Sequence, residues 1–232
     1  MKIIIAGDLA PINHLEDEFK NKNSISLLGK ELNEQWKSAD FRIFNLETPL
    51  ADNKNPIDKN GPNLIANSKT INGIKSLEPS LILLANNHIM DQGYNGLVDT
   101  IKLMDNNDIP YIGAGNLLKT AKETFIFEKN NYKVGVYNCA EHEFGIATED
   151  LPGANPFDPL ISLDDIQELS KKCDYTVVIY HAGKEHYRYP SPNLQKICRR
   201  MIDKGADFVV TQHSHCIGSK EEYKGKTIVY GQ

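Results

Sequence analysis

Residues 81–93 run Leu81-Ile82-Leu83-Leu84-Ala85-Asn86-Asn87-His88-Ile89-Met90-Asp91-Gln92-Gly93. The unbroken apolar stretch Leu81 to Ala85 predicts a strand covered on both faces, as in the middle of a parallel sheet. It ends abruptly in two amides and an imidazole, Asn86-Asn87-His88. Beyond Gly93, Tyr94, Leu97, Ile101 and Met104 recur at helical spacing, with Asp91 placed to cap the helix start. A strand, a turn rich in chemical groups and a helix form one unit of an α/β sheet, in which ligands collect beyond the carboxyl ends of the strands.

The unit recurs on both sides. Upstream, a strand from Lys2 to Ala6 ends in Gly7-Asp8, a helix covers Ser26 to Trp36, a strand from Phe41 to Leu46 ends in Glu47, and a helix covers Ser68 to Leu77. Downstream, Thr124 to Glu128 and Lys133 to Asn138 predict a hairpin around Lys129-Asn130-Asn131. A helix over Leu163 to Cys173 then leads to a strand, Tyr175 to Tyr180, that ends in His181. Leu194, Ile197, Met201 and Ile202 mark a helix closed by Gly205. The strand Asp207 to Thr211 delivers His213-Ser214-His215, and Thr227 to Tyr230 is the last strand. This alternation predicts an α/β fold with a mostly parallel sheet component and helices outside. Residues 52–63 and 146–159 read as loops within one domain covering 1–232.

Composition narrows the function. Hydrophobic residues at 40% are enough for a buried core. A net charge of −5 with no basic block excludes general nucleic-acid binding. No apolar run is long enough for a signal-peptide core or a membrane span, which predicts a soluble, cytoplasmic chain. Cys139, Cys173, Cys198 and Cys216 are scattered without a CxxC pair, so neither a disulfide framework nor a zinc knuckle is indicated.

Taken singly, each strand-end residue has an ordinary account: Asp8 as a turn residue, Glu47 as a solvated end, Asn87-His88 as a loop pair, His181 as a core histidine. Together they put a potential ligand at five strand ends. Converging carboxylates repel one another unless cations neutralise them. The donors are the carboxylates of Asp8 and Glu47, the amide of Asn87, and the imidazoles of His181, His213 and His215. That mixture suits divalent Mn, Fe, Zn or Ni rather than Ca. The absence of cysteine argues against a closed structural zinc site. Six donors are many for one ion that keeps an open position, and two ions sharing a carboxylate fit better. The two imidazoles of His213-x-His215 point to one side if the chain there stays extended.

These motifs carry a resemblance. Gly7-Asp8, Asn45-Leu46-Glu47, residues 85–93, His181-Ala182-Gly183-Lys184-Glu185 and His213-Ser214-His215 resemble the CapA family of capsule and poly-γ-glutamate synthesis. That family belongs to the calcineurin-like metallophosphatase superfamily. The segments 195–207 and 223–232 are similar to the same family, which usually runs on into a Gly-Asn-Phe stretch, so the chain is expected to stop at or near a motif.

The resemblance implies a metallophosphatase-like α/β/β/α sandwich of mixed sheets flanked by helices. It implies Glu47 as the bridging carboxylate, Asp8 and His215 on one ion, Asn87, His181 and His213 on the other, and His88 as the acid beside them. Asp91 is spaced to fix the His88 tautomer or, alternatively, only to cap the helix. Glu185 is either an orienter of His181 or a solvated carboxylate. His142 either lines the cleft or lies on the surface or in the core. His186, Tyr187 and Tyr189 form a cleft wall or pack together. Two departures stand out: Ala10 where the superfamily has a histidine, with Asn13 or His14 nearby, and Glu rather than Asp at the bridge.

The implied function is a dinuclear, metal-dependent hydrolase of a phosphoester or related anionic substrate, linked to capsule or poly-γ-glutamate biosynthesis. The alternative is a non-hydrolytic component whose metals hold polymer carboxylates. A metal-free interaction domain is the third reading.

Overall fold

The computed structural model describes residues 1–21 and 23–232. Strands β1 (Ile3–Leu9), β2 (Phe41–Leu46), β3 (Leu81–Leu83) and β4 (Tyr111–Ile112) form a parallel sheet in that order. Short strands β5 (Ala114–Gly115) and β8 (Gly153–Ala154) make a separate ribbon. The second sheet contains β6 (Phe125–Lys129), β7 (Tyr132–Ala140), β9 (Tyr175–His181), β10 (Phe208–Gln212), β11 (Ser219–Tyr223) and β12 (Lys226–Tyr230). Its order is β11-β12-β10-β9-β7-β6; the inner four strands are parallel, and β6 and β11 are antiparallel edges.

The helices are α1 (His14–Asn21), α2 (Ser24–Leu28), α3 (Lys30–Lys37), α4 (Ile71–Ser76), α5 (Gly93–Asn106), α6 (Leu118–Ala121), α7 (Ser162–Ser170) and α8 (Pro192–Asp203). Three apolar clusters define four layers. Phe19, Ile74, Leu97 and Met104 pack with Phe44, Leu46 and Ile82 on the outer face of the first sheet. Leu163, Ile166, Cys198 and Met201 pack with Val178 and Tyr180 on the outer face of the second. Between the sheets lie Ile43, Leu81 and Leu83 from one side and Val134, Val136, Val177, Ile179 and Val210 from the other. The architecture is therefore an α/β/β/α sandwich, with the first sheet wholly parallel and the second mixed.

Several sequence expectations need correction. The helix expected over Ser26 to Trp36 is two helices, because Gly29 takes φ 74° between α2 and α3. The first strand continues to Leu9, so Asp8 lies inside it rather than after it. β3 stops at Leu83, although Leu84 and Ala85 stay buried. The hairpin between β6 and β7 turns at Asn130-Asn131, both at positive φ (55° and 62°), as the strand twist requires of a two-residue turn.

Strand periodicity positions the site. In β9, Val177 and Ile179 face the inter-sheet core, so His181 continues the same face. In β1, Ile3 and Ile5 face that core while Ile4 and Ala6 face the helices. Between Ile5 and Asp8, three β1 steps pass two β2 steps (Ile5↔Ile43, Asp8↔Asn45). This bulge inverts the alternation: Leu9 joins the helix side and Asp8 turns inward. Among the described residues, no helix is long and apolar enough to cross a membrane. All four cysteines are free thiols.

Candidate metal centre

The carboxyl ends of β1, β2, β3, β9 and β10 meet at one rim between the sheets. Asp8 is fixed there through both oxygens: Oδ1 accepts from Asn45 Nδ2 at 2.7 Å and Oδ2 from the His213 backbone N–H at 2.9 Å. Glu47 follows β2 directly and is 4% exposed; its N–H donates to Leu9 O at 2.9 Å. Asn86 shapes the turn after β3. Its Nδ2 donates to Asn45 Oδ1 (3.0 Å) and Leu46 O (2.9 Å), and its Oδ1 accepts the His88 N–H (3.0 Å). This bracing presents Asn87 and His88 to the rim. Neither Asn45 nor Asn86 was singled out from sequence as a brace.

His181 ends β9 with Nε2 3.0 Å from Asn87 Oδ1 and 3.2 Å from Glu47 Oε1. His213 and His215 lie past β10, at φ 91° and 51°. The extended segment expected for His213-x-His215 is thus a left-handed turn, yet both imidazoles reach the rim, with ring centroids 6.1 Å apart. The turn is held by the His213–Asp8 bond and by the His186 N–H, which donates to Ser214 O at 2.8 Å.

Three donor groups result among the described residues. Glu47, His181 and His213 each offer an atom within 4.8 Å of the others, and so do Asp8, Glu47 and His215. Glu47 is common to both. Glu185, His213 and His215 make a third group, so Glu185 approaches those two histidines rather than serving His181. Among the described residues, His14 enters none of these groups, and Ala10 has no side-chain donor. His142 is exposed; Tyr187 and Tyr189 are exposed rather than packed together, and both line a cavity with Glu141, Gly183 and Ser214.

The carboxylates and imidazoles of the rim are electrostatically tied to one another. Burial pushes Glu47 up, but contact with His181 and the charges of His181, His215 and His88 outweigh it and hold the carboxyl below its ordinary range. Burial pushes His213 down, while Glu143, joined by Glu47 and Glu185, more than offsets that and raises it. Glu143 is lowered in turn, chiefly by its contact with His213. Among the described residues, His213 Nδ1 is buried without a hydrogen-bond partner, and Glu47 Oε1 meets only His181 Nε2, at 3.2 Å. Orphaned buried polar atoms of this kind are costly unless an ion or water satisfies them. Oxygen and nitrogen donors around a shared carboxylate are the chemistry divalent transition ions take.

Beside the donors, His88 Nδ1 lies 2.6 Å from Asp91 Oδ2. Asp91 is not the helix cap: Gln92 occupies that position, without a side-chain cap bond. Asp91 Oδ2 also accepts the Leu64 N–H at 2.6 Å, and its carboxylate pairs with the Lys59 ammonium. Lys59 was missed from sequence, since one lysine in the polar stretch 52–63 reads as solvated loop.

Comparison with known proteins follows the geometry. The family described as "Bacterial capsule synthesis protein PGA_cap" matches residues 2–232. The capsule biosynthesis protein CapA of Bacillus anthracis is 31% identical over 240 residues, covering 99% of this chain and 58% of that protein. The PGA biosynthesis protein CapA of Bacillus subtilis is 29% identical over 230 residues, covering 97% of this chain and 60% of that protein. The chain thus spans about three-fifths of the length of these relatives. Among solved structures, a novel phosphatase of Mycoplasma pneumoniae superposes with a TM-score of 0.58 at 16% identity, covering 100% of this chain and 71% of that one. This likeness shows the fold.

Proposed function

Because this chain belongs to the bacterial capsule synthesis family PGA_cap, we propose that it is a metal-dependent hydrolase of a phosphoester or related anionic bond, acting in capsule or poly-γ-glutamate assembly. The observation that carries the reading is Glu47, which belongs to two donor groups at once. Asp8, Glu47 and His215 would hold one divalent cation. Glu47, His181 and His213, with Asn87 beside them, would hold a second. Bound there, two such ions supply Lewis-acid charge to a phosphoryl oxygen and acidify water.

The chain's own residues supply the rest. Asp91 accepts the Nδ1 proton of His88, which leaves Nε2 as the reactive nitrogen. In its protonated form that nitrogen gives a proton to the leaving oxygen. Asn45 and Asn86 hold Asp8 and the 86–88 turn in place, so the donors are set before substrate arrives. An anionic polymer such as poly-γ-glutamate is the partner consistent with the family.

The second reading, a non-hydrolytic component whose metals grip polymer carboxylates, draws on Ala10, which leaves the Asp8 group one donor short of the superfamily pattern. A screen of aryl phosphates and phosphoesters beside polyglutamate, with added Mn²⁺, separates the two. Turnover that needs Mn²⁺ and is abolished in His88→Ala supports the hydrolase. Polymer binding with no turnover of any ester supports the alternative.

A further inference from the structure

Residues 51–67 carry no helix and, apart from the bridge at Ala66, no sheet pairing, yet they are fastened to one point of the rim. The Asn55 N–H donates to Gln92 Oε1 (2.7 Å), the Ile57 N–H to Asp91 O (3.1 Å), the Leu64 N–H to Asp91 Oδ2 (2.6 Å), and Gln92 Nε2 to Leu64 O (3.0 Å). The fastening brings Lys59 inward. Its side chain is 2% exposed, and its ammonium pairs with the fully buried carboxylate of Asp91. Nζ also lies 3.4 Å from Asn87 O, 3.4 Å from His88 Nδ1 and 4.8 Å from the centre of the Phe144 ring.

A buried ion pair is a weak stabilising device, because desolvation of both charges cancels most of the attraction. Loop anchoring alone does not require one either, since the backbone bonds to Asp91 and Gln92 already provide it. What the ammonium adds is direction. Without Lys59, the His88 and Leu64 donors both fall on Oδ2 and leave Oδ1 buried with no cation, so the carboxylate can turn to divide its oxygens between them. With Lys59 on Oδ1, Oδ2 is committed to His88 Nδ1 and Leu64 N.

We propose that Lys59 is a positioning residue that locks Asp91 so that His88 stays in the Nδ1–H tautomer with Nε2 toward the ligand cluster. The same ammonium braces the carbonyl of Asn87, so one loop cation orders both members of the Asn87-His88 pair. This inference rests on the reading of His88 as the acid of the site. Its structural part, the locked tautomer, is measurable without turnover.

The test uses the Zn²⁺-loaded chain with ¹⁵N-labelled histidine, in which long-range ¹H–¹⁵N spectra report the His88 tautomer and His88→Gln assigns its signals. The parent is expected to show Nδ1–H alone and Lys59→Met a mixture, with Zn²⁺ content unchanged. Where the parent turns over an aryl phosphate, Lys59→Met should lose about 10–100-fold in kcat with KM within about twofold, and Lys59→Arg should recover part of the loss. Lys59→Leu, which also removes the donor toward Asp91, substitutes for Lys59→Met if that variant misfolds. An unchanged tautomer overturns the proposal. So does a changed tautomer with undiminished kcat, or a loss of Tm with neither change. A changed tautomer in Lys59→Met, where the parent turns over no ester in the screen, sustains the lock and counts against the hydrolase.

Discussion

Asp8 and His213, 205 positions apart in the chain, are joined across the two sheets: Asp8 Oδ2 accepts the His213 backbone N–H at 2.9 Å. A second bond, from Gln212 Nε2 to Ala6 O at 2.9 Å, runs alongside it. Asp8, a candidate ligand at the rim, is therefore also a clasp of the sandwich. Asp8→Asn keeps one oxygen and turns an NH₂ toward a donor that had been accepted. In the presence of chelator, we expect a stability loss of about 1–3 kcal/mol, read as a shift of the urea midpoint. In the metal-binding assay the same variant should lose one ion. A variant that loses the ion without any stability change would show that the clasp is energetically idle.

His88 stands outside all three donor groups and is bound instead to Asp91. His88→Ala should retain the parent's metal content while turnover falls about 10²–10⁴-fold. Metal analysis and initial rates on the same preparation decide this. Parent-like activity would remove His88 from the chemistry.

The sheets are also locked through Asn138, whose Oδ1 accepts the Ala85 N–H at 3.0 Å and whose Nδ2 donates to Ile179 O at 3.1 Å. Gly113 makes room for it: at φ +96°, an added Cβ would lie 2.1 Å from Asn138 Oδ1 and 2.7 Å from Ala85 N. Gly113→Ala combines left-handed backbone strain with a displaced buried amide. The expected cost is about 2–4 kcal/mol in urea unfolding. A loss under about 0.5 kcal/mol would mean that the sheets separate there without penalty.

On the outer edge, burial pushes Glu221 up, but Arg199 (Nε to Oε1, 2.7 Å) and Tyr230 (Oη to Oε2, 2.7 Å) outweigh it, and the carboxyl is lowered from 4.5. A lowered folded value means stability that is present above the unfolded value and lost as pH falls through the folded one. Arg199 is 41% exposed, so solvent screening keeps the contribution under about 1 kcal/mol. Glu221→Gln should cost that fraction at pH 7, and the gap to the parent should shrink as pH drops below 4.5. Urea titrations at both ends check it. A gap that widens in acid would reverse the sign.

How much of this was legible follows local physics. β2 was read over its full span, Phe41–Leu46, because Phe41, Ile43, Phe44 and Leu46 favour a strand even with Arg42 and Asn45 among them. The β6–β7 turn was read from Asn130-Asn131, residues that tolerate positive φ. By contrast, α1 is a charged octapeptide that buries only Phe19, and β4 has two residues, so neither leaves a periodic signal. The rim residues stood out because ligand types recurred at strand ends. The register bulge that turns Asp8 inward, the left-handed turn at His213 and His215, and the burial of Lys59 are all set by tertiary contacts. No window of sequence contains both partners of those contacts.

The claim on which the rest depends is that Glu47 is shared between two ions. Metal content after Mn²⁺ loading and desalting measures it, compared among the parent, Glu47→Gln and His215→Ala. The account predicts two equivalents in the parent, one in His215→Ala and none retained in Glu47→Gln. A parent that takes up no Mn²⁺, or a Glu47→Gln variant that holds as much as the parent, would contradict it.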